Sequence, residues 1–323
     1  MRSAIIVTVL NEMQHIRGLL TSLETQTRTP DVIVITDGGS TDETQEILRE
    51  FASDTRLRFQ WQVVPGNRSQ GRNAAIRTAD AELLAVTDVN VLESDWFERI
   101  IGPLERGEAD IVGGWYEPIA ETPRERAMGA MTLFSLEEIK PDAFVPASRS
   151  VAFTREAWHR VGGYNERLAM AEDTALVLAM RRAGLRFVFE PRAIVRCWTA
   201  ADLREAFGMY RRYAFSDGQA AHFGVPQTRY GRVYAIYAGG AVLLILGFGW
   251  PLLWLLLVAG AFAYALLRAR KVLRRRWWAQ VPYSILVGLA IDFAQMSGYA
   301  AGRAHAVEAS PDTAGARGPS KDR

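Results

Sequence analysis

The chain has 323 residues, long enough for two domains, and its 38 Lys and Arg against 36 Asp and Glu leave a net charge of +2, too small for a nucleic-acid binder. Its single cysteine, Cys197, excludes an internal disulfide, so nothing calls for an oxidising compartment. Apolar residues make up 49% of the chain but are concentrated late: 35 charge-free residues separate Arg232 from Arg268, and Asp292 is the only charge in the 24 between Trp278 and Arg303. A globular domain over 1–201 followed by a membrane region is the expected organisation.

Strand and helix patterns alternate through the first part. SAIIVTVL, from Ser3, reads as a buried strand. Its apolar run is short, passes into Asn11-Glu12 and shows no small-residue cleavage site, so it is not read as a signal peptide, and the globular part is expected to stay in the cytosol. HIRGLLTSLETQ has helical spacing, DVIVITD is a second strand, and TDETQEILREFAS is a helix that Ser40 or Thr41 can cap. LRFQWQVV, SQGRNAAIRTAD, ELLAVTD and SDWFERIIGPLER continue the alternation as strand, helix, strand and helix. Such alternation implies a doubly wound, mostly parallel α/β sheet, whose ligands sit beyond the carboxyl ends of the strands. Three polar clusters fall at such ends: Thr8 with Asn11 and Glu12, Asp37 to Ser40, and Asp88 with Asn90. Neither G-x-G-x-x-G nor a P-loop motif is present, and an acidic rim suits ribose hydroxyls, a base N–H or a phosphate-bearing divalent cation.

Residues 7–12 (VTVLNE), 36–44 (TDGGSTDET), 71–76 (GRNAAI), 85–96 (AVTDVNVLESDW) and 162–184 (GGYNERLAMAEDTALVLAMRRAG) resemble, in order and spacing, the family-2 glycosyltransferases, which have the GT-A fold. The resemblance runs from about residue 3 to 200, and with the C-terminal apolar region it is similar to bacterial membrane-associated members that build cell-surface or exported glycans. It implies that Thr8, Asn11 and Glu12 hold the nucleoside and that Asp37 and Arg72 serve the base and diphosphate. It places Asp88 and Asn90 on the metal-binding D-x-D and makes Asp173 the base that activates the acceptor. Two positions depart from the pattern. Gly38 stands where the family has a second Asp, and VRCWTA, with Arg196, stands where it often has a His that joins the metal.

In an extended segment residues i and i+2 point the same way, so Asp88 and Asn90 can face one Mg²⁺ or Mn²⁺. The bland reading is that Asp88 caps the next turn and Asn90 is a loop residue. Likewise Glu172 and Asp173 open a helical pattern, where carboxylates are favoured for electrostatic reasons alone. Under the functional reading Asp173 is the general base, and Glu172 binds the acceptor or positions Asp173. Trp115 and Tyr116, after Gly113-Gly114 at an expected strand end, are candidates to stack on an acceptor sugar. Trp96 is read as core.

A helix of 35 residues spans about 52 Å, longer than a hydrocarbon core of about 30 Å. Gly247 to Pro251 breaks it, giving two short spans, 233–248 and 251–267. Arginines flank both outer ends, which places those ends on the cytoplasmic side. A re-entrant pair is the alternative. Residues 279–301 form either a third span, with Asp292 facing a lipid-linked acceptor or an arginine, or an interfacial helix with Asp292 in water. RRRWW at 274–278 is an anchor to anionic membrane lipids. Residues 202–231 read as an interfacial amphipathic segment, and 303–323 as a disordered tail.

The resulting expectation is an inverting, metal-dependent enzyme in the inner, cytoplasmic membrane. It would be multi-pass and transfer sugar from a nucleotide-diphosphate donor to a lipid-linked or glycan acceptor at the cytoplasmic face. The rivals are a nucleotide-sugar-binding scaffold or transport-associated protein without turnover, and a nucleotidyltransferase, whose Gly-rich basic loop after the first strand is absent.

Overall fold

The computed structural model describes residues 1–133, 135–141, 144–168, 170–220 and 228–305, and divides into two compact units, Met1–Ala200 and Ala201–Arg323. In the first unit β1 (Ser3–Val9), β2 (Val32–Asp37), β3 (Phe59–Val63) and β4 (Leu83–Thr87) form the parallel half of an eight-stranded sheet ordered β3-β2-β1-β4-β7-β6-β8-β5. β7 (Val151–Thr154) runs antiparallel to β4 and to β6 (Ile111–Ile119). β8 (Phe187–Trp198) is parallel to β6, and the short β5 (Val91–Leu92) is antiparallel to β8.

The continuous apolar runs of the parallel strands follow from burial on both faces. Because successive side chains alternate, Ile5 and Val7 enter one core with Leu19, Leu20 and Leu23 of α1 (Ile16–Glu24), Leu48 of α2 (Thr44–Asp54) and Ile100 of α4 (Trp96–Glu105). Ala4 and Ile6 enter the other with Ala75 and Ile76 of α3 (Arg68–Thr78) and Leu176 and Met180 of α7 (Glu172–Arg182). Burying one such Leu or Ile contributes about 1.5–3 kcal/mol. α5 (Pro123–Thr132) and α6 (Arg155–Arg160) complete the unit.

Two features of α3 set its position. Asn67 and Gln70 form a capping box that starts it. Gly71 lets its first turn close on the strand ends: a Cβ there would lie 2.9 Å from Thr8 Cγ2 and 3.0 Å from Thr36 Oγ1. Two local expectations differ from the structure. The start of α2 is served by Asp42, whose Oδ1 accepts from the Thr44 N–H, not by Ser40 or Thr41. Gly113-Gly114 lies inside β6, where pairing with β8 shifts register between Gly113 and Trp115, and does not end a strand.

The second unit is helical: α8 (Leu203–Ala220), α9 (Thr228–Leu246), α10 (Leu252–Arg274) and α11 (Val281–Ala304). α8 packs on α11 where Gly298 and Gly302 of α11 meet the backbones of Arg211 and Phe215. Among the described residues two helices are long and apolar enough to cross a membrane, Leu252–Arg274 and Trp278–Ala304. α9, whose first turns carry Arg229 and Arg232, is not one of them. α10 is clothed in exposed apolar side chains such as Leu252, Leu255, Val258 and Phe262. Asp292 is fully buried, not in water: it accepts from the Tyr264 (2.7 Å) and Tyr237 (3.2 Å) hydroxyls and pairs with Arg268 at 3.4 Å. Of the tail expected over 303–323, residues 303–305 are described, with Arg303 in the last turn of α11, and 306–323 lie outside the described residues.

Candidate active site

The carboxyl ends of β1, β2 and β4 carry the three polar clusters onto one rim, as the pattern of strands requires. Asn11, at φ 55°, ties the loop after β1 to the loop after β2: its N–H donates to Ser40 Oγ and its Oδ1 accepts from the Thr41 N–H, both at 2.8 Å. The Glu12 N–H donates to Thr44 Oγ1 at 2.8 Å. Asp37 is fully buried, and its Oδ1 accepts from the N–H groups of Gly39 (2.8 Å) and Ser40 (2.7 Å) and from Gln45 Nε2 (3.0 Å). Its Oδ2 is buried with no hydrogen-bond partner, and so is Thr8 Oγ1 at the end of β1. Unmatched buried oxygens are costly, so they mark where a bound molecule can donate.

Asp88, just past β4, is 32% exposed and accepts from Arg72 Nη2 at 2.7 Å. Burial works against its charge, but Arg72, Arg68 and Arg149 outweigh it and hold its carboxyl below the usual range. Arg72 itself is only 1% exposed, and its Nη1 donates to Glu172 Oε1. The guanidinium lies 5.4 Å from the centre of the Tyr164 ring. The resemblance implied a base or diphosphate contact for Arg72; its side chain is instead enclosed, with both terminal nitrogens spent on carboxylates. Glu172, buried at the start of α7, has its carboxyl raised by burial, against the opposing pull of Arg72. Burial also pushes Glu12 up to about 7, opposed by Arg68 and assisted by Asp88 and Asp42.

Asp173 stands beside Glu172 in the first turn of α7, half-buried. Its Oδ2 accepts from the Ser148 N–H at 3.2 Å and its Oδ1 from the Thr174 N–H at 2.6 Å. Arg72, Asp88, Glu172 and Asp173 are therefore gathered in one corner. Asn90 is buried, with its N–H on the Asp88 carbonyl at 2.8 Å and its Nδ2 without a hydrogen-bond partner. Among the described residues no group of three or more His, Cys, Asp or Glu is arranged to hold a metal. Arg196, at the position where the family often has a His, pairs with Glu93.

Trp115 and Tyr116 do not join this corner as open rings. They are 3% and 9% exposed and stack on each other, and Phe144 and Phe189 pack against Trp115. Trp96 is core, its Nε1 donating to Ser150 Oγ at 2.9 Å. Sequence reasoning passed over the segment around Ser148 to Ser150. Its Ser148 N–H meets Asp173, the Arg149 carbonyl accepts from Thr87 Oγ1 at 2.8 Å, and the Ser150 carbonyl accepts from the Gly114 N–H at 2.9 Å. It also passed over Asn73. That side chain holds both the N–H (3.0 Å) and the carbonyl (2.8 Å) of Tyr164. Only the run of small polar residues before β7 hinted at the first, and only its place in GRNAAI at the second.

A parallel sheet with a carboxylate-lined rim at its strand ends, joined to an antiparallel half that carries the second carboxylate pair, defines a GT-A-type nucleotide-sugar enzyme. The chain belongs to glycosyltransferase family 2: the family model described as Glycosyl transferase family 2 matches residues 4–219. The succinoglycan biosynthesis protein ExoA of Rhizobium meliloti is 27% identical over 237 residues, 68% of this chain and 70% of that protein. The glycosyltransferase AglE of Haloferax volcanii is 23% identical over 255 residues, 76% of this chain and 80% of its own. Among solved structures, the mannosyltransferase PcManGT from Pyrobaculum calidifontis, in complex with GDP-Man and Mn²⁺, matches 90% of this chain and 87% of its own length with a TM-score of 0.64 at 18% identity. That likeness shows the GT-A fold. The protein is thus a glycosyltransferase that draws on a nucleotide-sugar donor.

Proposed function

We propose that the enzyme transfers its sugar with inversion, using a divalent cation, to a lipid-linked or glycan acceptor at the cytoplasmic face of the membrane. The observation that carries this reading is the single corner in which Asp88, open to the rim, and Asp173, at the head of α7, are joined through Arg72 and Glu172.

The donor set fits a hard cation. Asp88 keeps a partly exposed carboxylate, and Asn90, two residues on, would supply the oxygen of its carboxamide. Two protein ligands suffice where diphosphate oxygens and water complete the shell of Mg²⁺ or Mn²⁺. When bound, such an ion neutralises charge on the departing phosphate oxygen. Thr8 Oγ1 and Asp37 Oδ2, buried and unmatched, are the acceptors offered to the nucleoside, with Asn11 and Glu12 shaping its loop. Asp173 takes the proton of the acceptor hydroxyl as that oxygen attacks the anomeric carbon on the face opposite the leaving diphosphate, which inverts the centre in one displacement.

The acceptor class draws on ExoA, whose name assigns it to succinoglycan biosynthesis, and on the apolar α10 and α11, which we read as spanning helices. The basic residues from Arg270 to Arg276 would then sit at the cytoplasmic surface, in contact with anionic lipid.

The test uses the full chain in lipid nanodiscs. UDP- and GDP-sugars are screened by thermal shift with and without Mn²⁺, where a ligand at 100 times its Kd adds about 2.7 kcal/mol. Hydrolysis or transfer by the best binder is then followed. Metal-dependent binding with turnover supports the proposal. Binding without turnover on any acceptor favours the scaffold reading, for which Gly38 and Asn90 speak.

A further inference from the structure

We propose that Arg72 is a positioning residue that locks the donor-side carboxylate and the acceptor-side helix into one rigid piece and does not itself touch the donor. The proposal rests on the reading that Asp88 serves the donor and Asp173 the acceptor.

Four observations meet at this side chain. First, Arg72 is 1% exposed, so a diphosphate arriving from solvent at the rim has no open guanidinium to meet. Second, its two terminal nitrogens go to different elements: Nη2 to Asp88 beyond β4, 16 positions along the chain, and Nη1 to Glu172 at the start of α7, 100 positions along. A planar guanidinium presents donors in a fixed fork, so the angle between these two carboxylates is set by covalent geometry. Third, α7 has no side-chain cap. Its N-cap position is Ala171, in the left-handed region at φ 59°. The first turn that carries Asp173 is held instead by Arg72 through Glu172 and by the Ser148 N–H. Fourth, the neighbours of Arg72 fix its own origin. Gly71 seats α3 against Thr8 and Thr36, and Asn73 clamps Tyr164 and Glu166 of the turn leading toward α7. Three successive residues thus tie α3 to the ends of β1 and β2, to Asp88 and α7, and to the turn before α7.

Transfer needs the leaving group and the attacking hydroxyl in line, and a displacement of about 1 Å can cost on the order of 10²-fold in rate. One of the two carboxylates that serve these groups follows β4 and the other stands in the first turn of α7, and Arg72 is bonded to the Asp88 side and to the α7 side at once. Lysine cannot replace it, because a single ammonium lacks the fork that spans both.

The experiment compares wild type, Arg72→Lys, Glu172→Gln and the double variant in nanodiscs. It reads donor Kd by thermal shift with and without Mn²⁺, donor and acceptor KM, and kcat. The expected result for Arg72→Lys is a donor Kd within about threefold and a kcat lower by about 10²-fold. Glu172→Gln keeps an acceptor for Nη1 and should lose less. The double variant should be no worse than Arg72→Lys alone, since both changes cut the same link. If Arg72→Lys does not fold, Glu172→Gln carries the test: kcat must fall while donor Kd holds. A donor Kd weakened 30-fold or more in Arg72→Lys, with kcat at saturation unchanged, overturns the proposal and makes Arg72 a donor ligand. So do losses that simply multiply in the double variant. Asp173→Asn run alongside separates the two claims, because native turnover in that variant defeats the assignment of the base whatever Arg72 does.

Discussion

Arg72 and Arg268 each pair with a carboxylate, one at the rim of the sheet in the N-terminal unit and the other among helices in the C-terminal unit. Around Arg72 stand two carboxylates, Asp88 and Glu172, and Asp88 opens the cluster to solvent. Around Arg268 stands one carboxylate, Asp292, whose other contacts are the neutral hydroxyls of Tyr237 and Tyr264, and it is sealed. A carboxylate left partly open to water can be spent on a ligand. A neutral pair among apolar helices is what a nonpolar surrounding demands, and its contacts join α9, α10 and α11. The same pair of residue types is therefore set at a partly open rim in one unit and inside a helix packing in the other.

The comparison breaks most visibly at Asp88. Asp88→Ala should abolish transfer and remove the Mn²⁺ dependence of donor binding measured by thermal shift; unchanged metal dependence would end the assignment. Asp173→Asn comes next, with turnover down about 10²–10⁴-fold, acceptor KM changed far less and donor affinity within a few fold. A mere cap would show near-native kinetics, because Asn caps helices as well as Asp.

The C-terminal cluster should respond in stability and not in chemistry. Asp292→Ala leaves Arg268 unpaired and should cost about 3–5 kcal/mol, read from unfolding in detergent, with kcat per folded molecule little changed. Lost turnover in a stably folded variant would mean that the sealed cluster also acts on substrate. The smallest effect concerns pH. Glu12 is raised in the folded state from its ordinary value near 4.5 to about 7, so folding favours its neutral form. Its contribution to stability is complete below about 4.5 and disappears as pH rises through about 7. The melting temperature of the wild type should therefore fall relative to Glu12→Gln between about pH 3.5 and about pH 8, one unit either side of that range. Parallel curves would show that Glu12 is not held neutral.

Residue order alone settles what depends on near neighbours. Unbroken apolar runs in β1, β2 and β4 spelled strands buried on both faces, and helical spacing between them made the connections parallel. Parallel connection alone puts Thr8, Asp37 and Asp88 at the same edge. The motifs around Asp88 and Asp173 were legible for the same reason, being short and local. Contacts between distant segments are settled when the chain folds. Residues 72, 88 and 172 meet because α3, β4 and α7 converge, and nothing in a window around Arg72 shows that its guanidinium is enclosed. Trp115 and Tyr116 looked like exposed rings at a strand end, yet β6 runs on through them and Phe144 and Phe189 fold over Trp115. Asp292 could have faced lipid, water or a cation until α10 brought Arg268 and Tyr264 beside it. Periodicity records which face of an element is buried, but the partner on that face is set by chain segments tens of residues away, whose pairing leaves no local pattern.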